Sequence, residues 1–292
     1  MNPKKVLIVG AGPGGLTAAM ILASKGYRVE VFEKSNVVGG RNAPLRLGPY
    51  TFDTGPTFLM MRHILDEVFA ITGRKSEDYL KCTEVDPMYR LRFGDGREFF
   101  PTRDPDRMKA QMEALFPGSF AQYQKYMKRE KVKYERLVPC LQKPYGKISD
   151  HFHIPLLKAL PYLDLHTDLF SYLGKYFSHD DLRISFTFQA KYLGMSPWQC
   201  PATFSIISYI EHGLGIWHVE GGLNQISTQM ANVLKEEGGT LHLSTPVSEV
   251  LVENGKARGL VLESGERVMG DYVIINADFA HAMTHLVHPR HR

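Results

Sequence analysis

Gly10, Gly12 and Gly15 stand in the spacing G-x-G-x-x-G, and the acidic Glu33 follows eighteen residues after Gly15. These residue types suit a dinucleotide. Gly10 permits a tight bend out of a strand, Gly12 lets a pyrophosphate approach the backbone, and Gly15 lets helix and strand pack closely. A helix starting there offers unpaired N–H groups and a positive dipole end to the phosphates. Glu33 would accept hydrogen bonds from a ribose 2′-hydroxyl, which disfavours a 2′-phosphate. Gly14 and Lys34, neighbours of these residues, join the same candidate set.

Three spaced glycines are a weak signal alone, so the elements around them decide. Val6–Val9 reads as a buried parallel strand. Leu16, Ala19, Met20 and Ala23 recur at helical spacing, Gly26 sits at a helix stop, and Arg28–Phe32 alternates like a second strand. A glycine-rich helix start without a ligand would not need strand, helix, strand and acid in register. Gly39, Gly40 and Arg41 follow directly. A second glycine pair beside a planar guanidinium suits a second approach to a dinucleotide phosphate. An ordinary Gly-Gly turn with a surface Arg fits those three residues as well. The residues alone leave FAD and NAD open, and the second glycine pair favours FAD.

GAGPGGL, Glu33, VVGGR and YTFDTGPT together resemble the amine-oxidase-like FAD oxidoreductases. Within them the chain is similar to the bacterial phytoene-desaturase type of carotenoid desaturase. The stretch YLGMSPWQCPATFSIISYIEHGLGIWHVEGGLNQIS, residues 192–227, carries that similarity. The resemblance runs from residue 4 to about residue 285. It implies FAD as cofactor, contacted also by the backbone at Val247, with the strand end near Ala277 close to the flavin. It implies a long-chain polyene as substrate.

The fold expected is α/β: a Rossmann-type FAD-binding domain with a β-meander, formed by residues 1–60 and 218–292. A mainly helical substrate domain, residues 61–217, is inserted into it. Residues 58–73 should be helical, and 88–93 with 97–100 should form a hairpin across Gly94-Asp95-Gly96. Asp104-Pro105 opens a helix to Phe116, and a Lys/Arg/Tyr-rich helix spans about 119–137. Residues 154–177 are apolar and aromatic. After Gly221-Gly222-Leu223 come a helix to about Glu237, a strand at 240–242, a meander over 247–269 and a last apolar strand, 271–277.

The chain has 292 residues, 43% of them apolar, enough for a sizeable core. A net charge of +4 suits an anionic lipid surface and is equally explained by solvated surface; no nucleic-acid motif accompanies it. Cys82, Cys140 and Cys200 are too few and too scattered for a disulfide framework, which points to a reducing compartment. Residues 6–24 carry no charge, but glycines and a proline interrupt the run, so no transmembrane helix is expected. The basic helix and the apolar stretch after it read as core packing, or as a membrane-surface patch if the substrate is a lipid-soluble polyene. His281, His285, His288 and His291 lack acidic or cysteine companions, so no metal is expected.

The resemblance therefore implies an FAD-dependent oxidoreductase desaturating a phytoene- or diapophytoene-type precursor, in the cytoplasm at the inner face of the cell membrane. A carotenoid oxygenase or isomerase, or an inactive truncated FAD-binding fragment, is the alternative. Members of the family continue past the end of this sequence, so a homo-oligomer or a partner chain supplying the C-terminal part is also expected. No catalytic residue is assigned. Asp53, Glu211 and His212 are the groups near the motifs able to take a proton, and each also reads as structural.

Overall fold

The computed structural model describes residues 3–292 and divides into two compact units. One comprises the chain up to Thr83 together with Trp217–Arg292; the other is Glu84–Ile216. The first two residues of the expected 1–60 segment lie outside the described residues.

The first unit begins with β1 (Lys5–Val9), α1 (Pro13–Ser24) and β2 (Arg28–Phe32). β1 is β-branched and almost wholly buried, as a central parallel strand must be. The glycine-proline turn breaks the apolar run, and α1 then buries Leu16, Ala19, Met20 and Ala23 along one stripe. A hairpin follows, β3 (Pro44–Leu47) and β4 (Tyr50–Asp53). The segment expected to be helical from residue 58 is extended at Leu59–Met60, passes through Met61 at φ +55°, and becomes α2 (Arg62–Ile71). Leu65 and Phe69 of α2 share one core cluster with Leu16, Met20 and Ile226. That packing places residues 61–83 in the first unit, whereas the sequence assigned them to the inserted segment.

The second unit is mainly helical. Two short strands, Leu91–Arg92 and Glu98–Phe99, pair antiparallel. Then come α3 (Pro105–Leu115), capped by the Asp104 carboxylate, and α4 (Ser119–Leu141). Residues 154–177 yield only short helices, Ile154–Ala159 and Leu169–Leu173. α5 (Ile206–Leu214) closes the unit. Its core is aromatic: Phe99, Phe116, Tyr126, Tyr172, Phe177 and Phe186 are buried together. The Phe177 and Phe186 rings stack at 4.8 Å.

The chain returns to the first unit through α6 (Asn224–Glu236) and β5 (Thr240–His242). A meander follows: β6 (Val247–Glu253), β7 (Lys256–Leu262) and β8 (Arg267–Met269). β9 (Tyr272–Ile275) and α7 (Phe279–His285) end the order. The parallel sheet runs β5-β2-β1-β9, with Val9 opposite both Phe32 and Ile275. This register brings the carboxyl ends of three strands to one edge, where α/β sheets bind ligands. Among the described residues no helix is long and apolar enough to cross a membrane.

Candidate functional site

The edge formed by those strand ends carries the glycine loop. Gly10 adopts φ +98°, and its N–H donates to Phe32 O at 2.8 Å, locking the bend to the neighbouring strand. Gly12 caps α1 with extended backbone and no side-chain cap; the first turn of α1 holds Pro13 and no acidic residue. Pro13 and Gly14 are exposed. This first turn therefore holds no carboxylate to compete with an anionic ligand for the helix start. A Cβ on Gly15 would lie 2.2 Å from Gly10 O, which is the close packing expected of that position.

Glu33 is buried at the end of β2. Its Oε2 accepts from Ala11 N at 2.8 Å and its Oε1 from Ser35 N at 2.9 Å. The acid is thus clamped onto the backbone of the glycine loop, and each oxygen retains acceptor capacity for a ligand hydroxyl. The second glycine pair joins the same place. Gly39 N donates to Ala11 O at 2.9 Å, and a Cβ on Gly40 would come within 3.4 Å of Gly12 Cα. Lys34 and Arg41 are exposed beside them. Val247 opens β6, half-buried, just after Thr245, whose N–H donates to Glu33 O at 2.8 Å. Every cofactor-binding candidate therefore lies on segments tied to one loop.

Sequence reasoning missed the residues that hold this arrangement. Asn276, directly after β9, lies beneath the loop: Cβ atoms on Gly12, Gly14 and Gly15 would all approach its side chain within 3.1 Å. On the other side, Asn224 Nδ2 donates to Val38 O at 2.8 Å, and Ser227 Oγ donates to Asn42 Oδ1 at 3.0 Å. These bonds fasten the Gly39–Gly40 loop to the start of α6. Asn at a strand end and Asn-x-x-Ser at a helix start were the available signals.

The three proton-acceptor candidates are engaged elsewhere. Asp53 accepts from Leu223 N at 3.0 Å and secures the turn into α6. Glu211 and His212 are in the second unit. Glu211 is buried, accepting from Gln189 Nε2 at 2.5 Å and Tyr192 OH at 2.7 Å; burial pushes its carboxyl up against these two bonds. His212 contacts the rings of Tyr89, Tyr123 and Phe186, and burial lowers it to about 3. Tyr89, kept neutral by burial, shares a hydrogen bond with His212 Nε2 at 3.1 Å. A histidine depressed in the fold contributes stability that is full above about 6.5 and is lost as pH falls toward 3. His212→Phe should therefore flatten the acid limb of a melting-temperature profile over that window, an effect on the order of 4 kcal/mol across it. An unchanged acid limb would refute the assignment.

The glycine cradle fits a dinucleotide: it has a helix start free of acidic residues, an acid with free acceptor capacity, and a surface that a Cβ at Gly12 would fill. A family model, flavin containing amine oxidoreductase, matches residues 13–292. The chain belongs to that family. It is 46% identical over 99% of its length to a 4,4′-diapophytoene desaturase (4,4′-diapolycopene-forming) of Methylomonas sp. A zeta-carotene-forming phytoene desaturase of Myxococcus xanthus is 35% identical over 98% of the chain. In both cases the match covers 56% of the relative, so the chain spans little more than half the length of these proteins. An oxidoreductase from Methanosarcina mazei shares the fold, with a TM-score of 0.64 at 22% identity, covering 97% of this chain and 61% of that one. The cofactor of the family is FAD. Among the described residues no group of three or more His, Cys, Asp or Glu could hold a metal; His281 and His285 stack at 4.3 Å, and His285 Nδ1 lies 3.0 Å from His281 O.

Proposed function

We propose that this chain is the FAD-binding and part of the substrate-binding portion of a carotenoid desaturase acting on a linear polyene precursor of the diapophytoene or phytoene type. The observation that carries the reading is similarity along the whole chain to polyene desaturases. The residues agree with it. The cradle suits a flavin, which when bound supplies the acceptor for a hydride from an unactivated C–H. In the second unit an apolar groove of about 340 Å³, lined by Leu91, Phe93, Ile184, Phe188 and Met195, suits a hydrocarbon.

A hydrocarbon of this kind resides in a bilayer, and residues 141–165 supply a surface for reaching it. Leu141, Ile148, Phe152, Ile154, Leu157 and Leu165 are all exposed, Phe152 by 79%. Lys143, Lys147 and Lys158 are interspersed, and α4 adds the exposed Lys125, Lys128 and Lys131. Apolar groups with a basic surround suit an anionic leaflet. The cysteines are free, in keeping with a reducing compartment and hence the inner face of the cell membrane.

Expression in cells that accumulate 4,4′-diapophytoene or phytoene tests the activity, with this chain alone and with the remaining part of a relative supplied. Desaturation removes a pair of hydrogens per step and moves absorbance to longer wavelength. A product that gains oxygen would assign an oxygenase, and an unaltered precursor in both arms would refute the proposal. Fractionation of the same cells should place the protein with membranes and release it by salt after Phe152→Asp with Ile148→Asp.

A further inference from the structure

The hairpin of β3 and β4 exposes one wholly apolar face. Its register pairs Leu45 with Phe52 and Leu47 with Tyr50, so these four side chains share one side, and Arg46 and Thr51 share the other. All four are between 46 and 67% exposed. Gly48, at φ +58°, and Pro49 make the two-residue turn. Among the described residues, no backbone group of residues 45–52 bonds outside the β3–β4 ladder, so both outer edges are unpaired. An isolated two-stranded ribbon is marginal in water, and its open edges are templates for another strand.

We propose that this face is a docking surface for polypeptide, namely the portion that the desaturase relatives carry outside the matched region, whether supplied on the same chain or on another. Two observations select that occupant. Unpaired N–H and C=O groups along both edges call for donors and acceptors, which a peptide backbone offers and a polyene or acyl chain does not. The relatives matched here carry a further 44% of their length outside the match, since it covers 56% of each. The inference rests on family membership and the hairpin, and is independent of the substrate.

The double variant Leu47→Glu, Tyr50→Glu tests it, because both side chains are already in solvent and the charges should leave the melting temperature nearly unchanged. This chain would be co-expressed with the unmatched portion of the Methylomonas relative as a separate, differently tagged polypeptide. A second arrangement would join the two by a flexible linker. Wild type should co-elute with the added polypeptide, and amide exchange over residues 45–52 should slow at least ~10-fold in the joined protein. The double variant should lose both effects. Association that survives the double substitution would overturn the proposal, as would absence of association and of protection in both arrangements. Self-association of the chain alone, abolished by the double substitution, would assign the face to a second copy. Binding to phosphatidylglycerol vesicles abolished the same way would assign it to lipid.

Discussion

Gly15→Val should lower the melting temperature by roughly 10 °C, whereas Gly12→Val should melt almost as wild type. A side chain at Gly15 would begin 2.2 Å from Gly10 O and 3.1 Å from Asn276 Cβ. Neither neighbour can retreat cheaply. Gly10 is fixed by its positive φ and its bond to Phe32 O, and Asn276 is fixed because its N–H donates to Val9 O at 2.8 Å. Overpacking plus displaced backbone should cost about 4 kcal/mol, at roughly 2–4 °C per kcal/mol for a domain of this size. At Gly12 the backbone is extended, φ −73° and ψ 171°, and the one close atom is Asn276 Nδ2 at 3.1 Å, the end of a side chain. Differential scanning calorimetry of both variants separates the roles. Equal destabilisation would remove the distinction between a packing glycine and a phosphate-facing glycine.

Lys133→Met should destabilise the second unit by about 3–5 kcal/mol. Lys133 and Glu130 are fully buried on α4. The ammonium lies 3.0 Å from Asp164 Oδ2 and 3.3 Å from Glu130 Oε2, and it donates to Ser205 Oγ at 2.7 Å. Glu130 also accepts from Tyr172 OH at 2.7 Å and Ser205 Oγ at 2.8 Å. Removing the cation leaves the buried Glu130 carboxylate without its ion-pair partner, while Asp164 keeps Arg129 at 3.6 Å. Removing Glu130 as well, as Glu130→Met with Lys133→Met, should recover more than half of the loss, since a buried pair is worth little against apolar packing of similar size. Urea denaturation of the single and double variants measures the coupling. Additive losses would show that the two side chains act separately.

The first βαβ segment is legible in sequence because its determinants are local. Glycines, a β-branched strand, a helical stripe and an acid lie within thirty residues, and each agrees with its neighbours. Asn276 was not legible. It meets the loop only through the parallel pairing of β1 with β9, which joins residues some 266 apart. The tethers from Asn224 to Val38 and from Ser227 to Asn42 are invisible for the same reason. The β3–β4 hairpin was hidden because Pro44, Gly48 and Pro49 punctuate it, and its apolar face lacks the buried partner that strand patterns usually announce. The unit boundary was misplaced because the amphipathic pattern of α2 fits any apolar neighbour. Only the burial of Leu65 and Phe69 in one core cluster with Leu16 and Met20 decides which one.

Titration of the folded chain with FAD, followed by flavin fluorescence and repeated on Gly12→Val, tests the central claim most directly. The account predicts saturable binding by wild type, weakened at least ~100-fold in Gly12→Val at matched melting temperature, because a side chain there occupies the phosphate approach. Equal affinity in the two proteins would contradict it and separate the glycine loop from the cofactor.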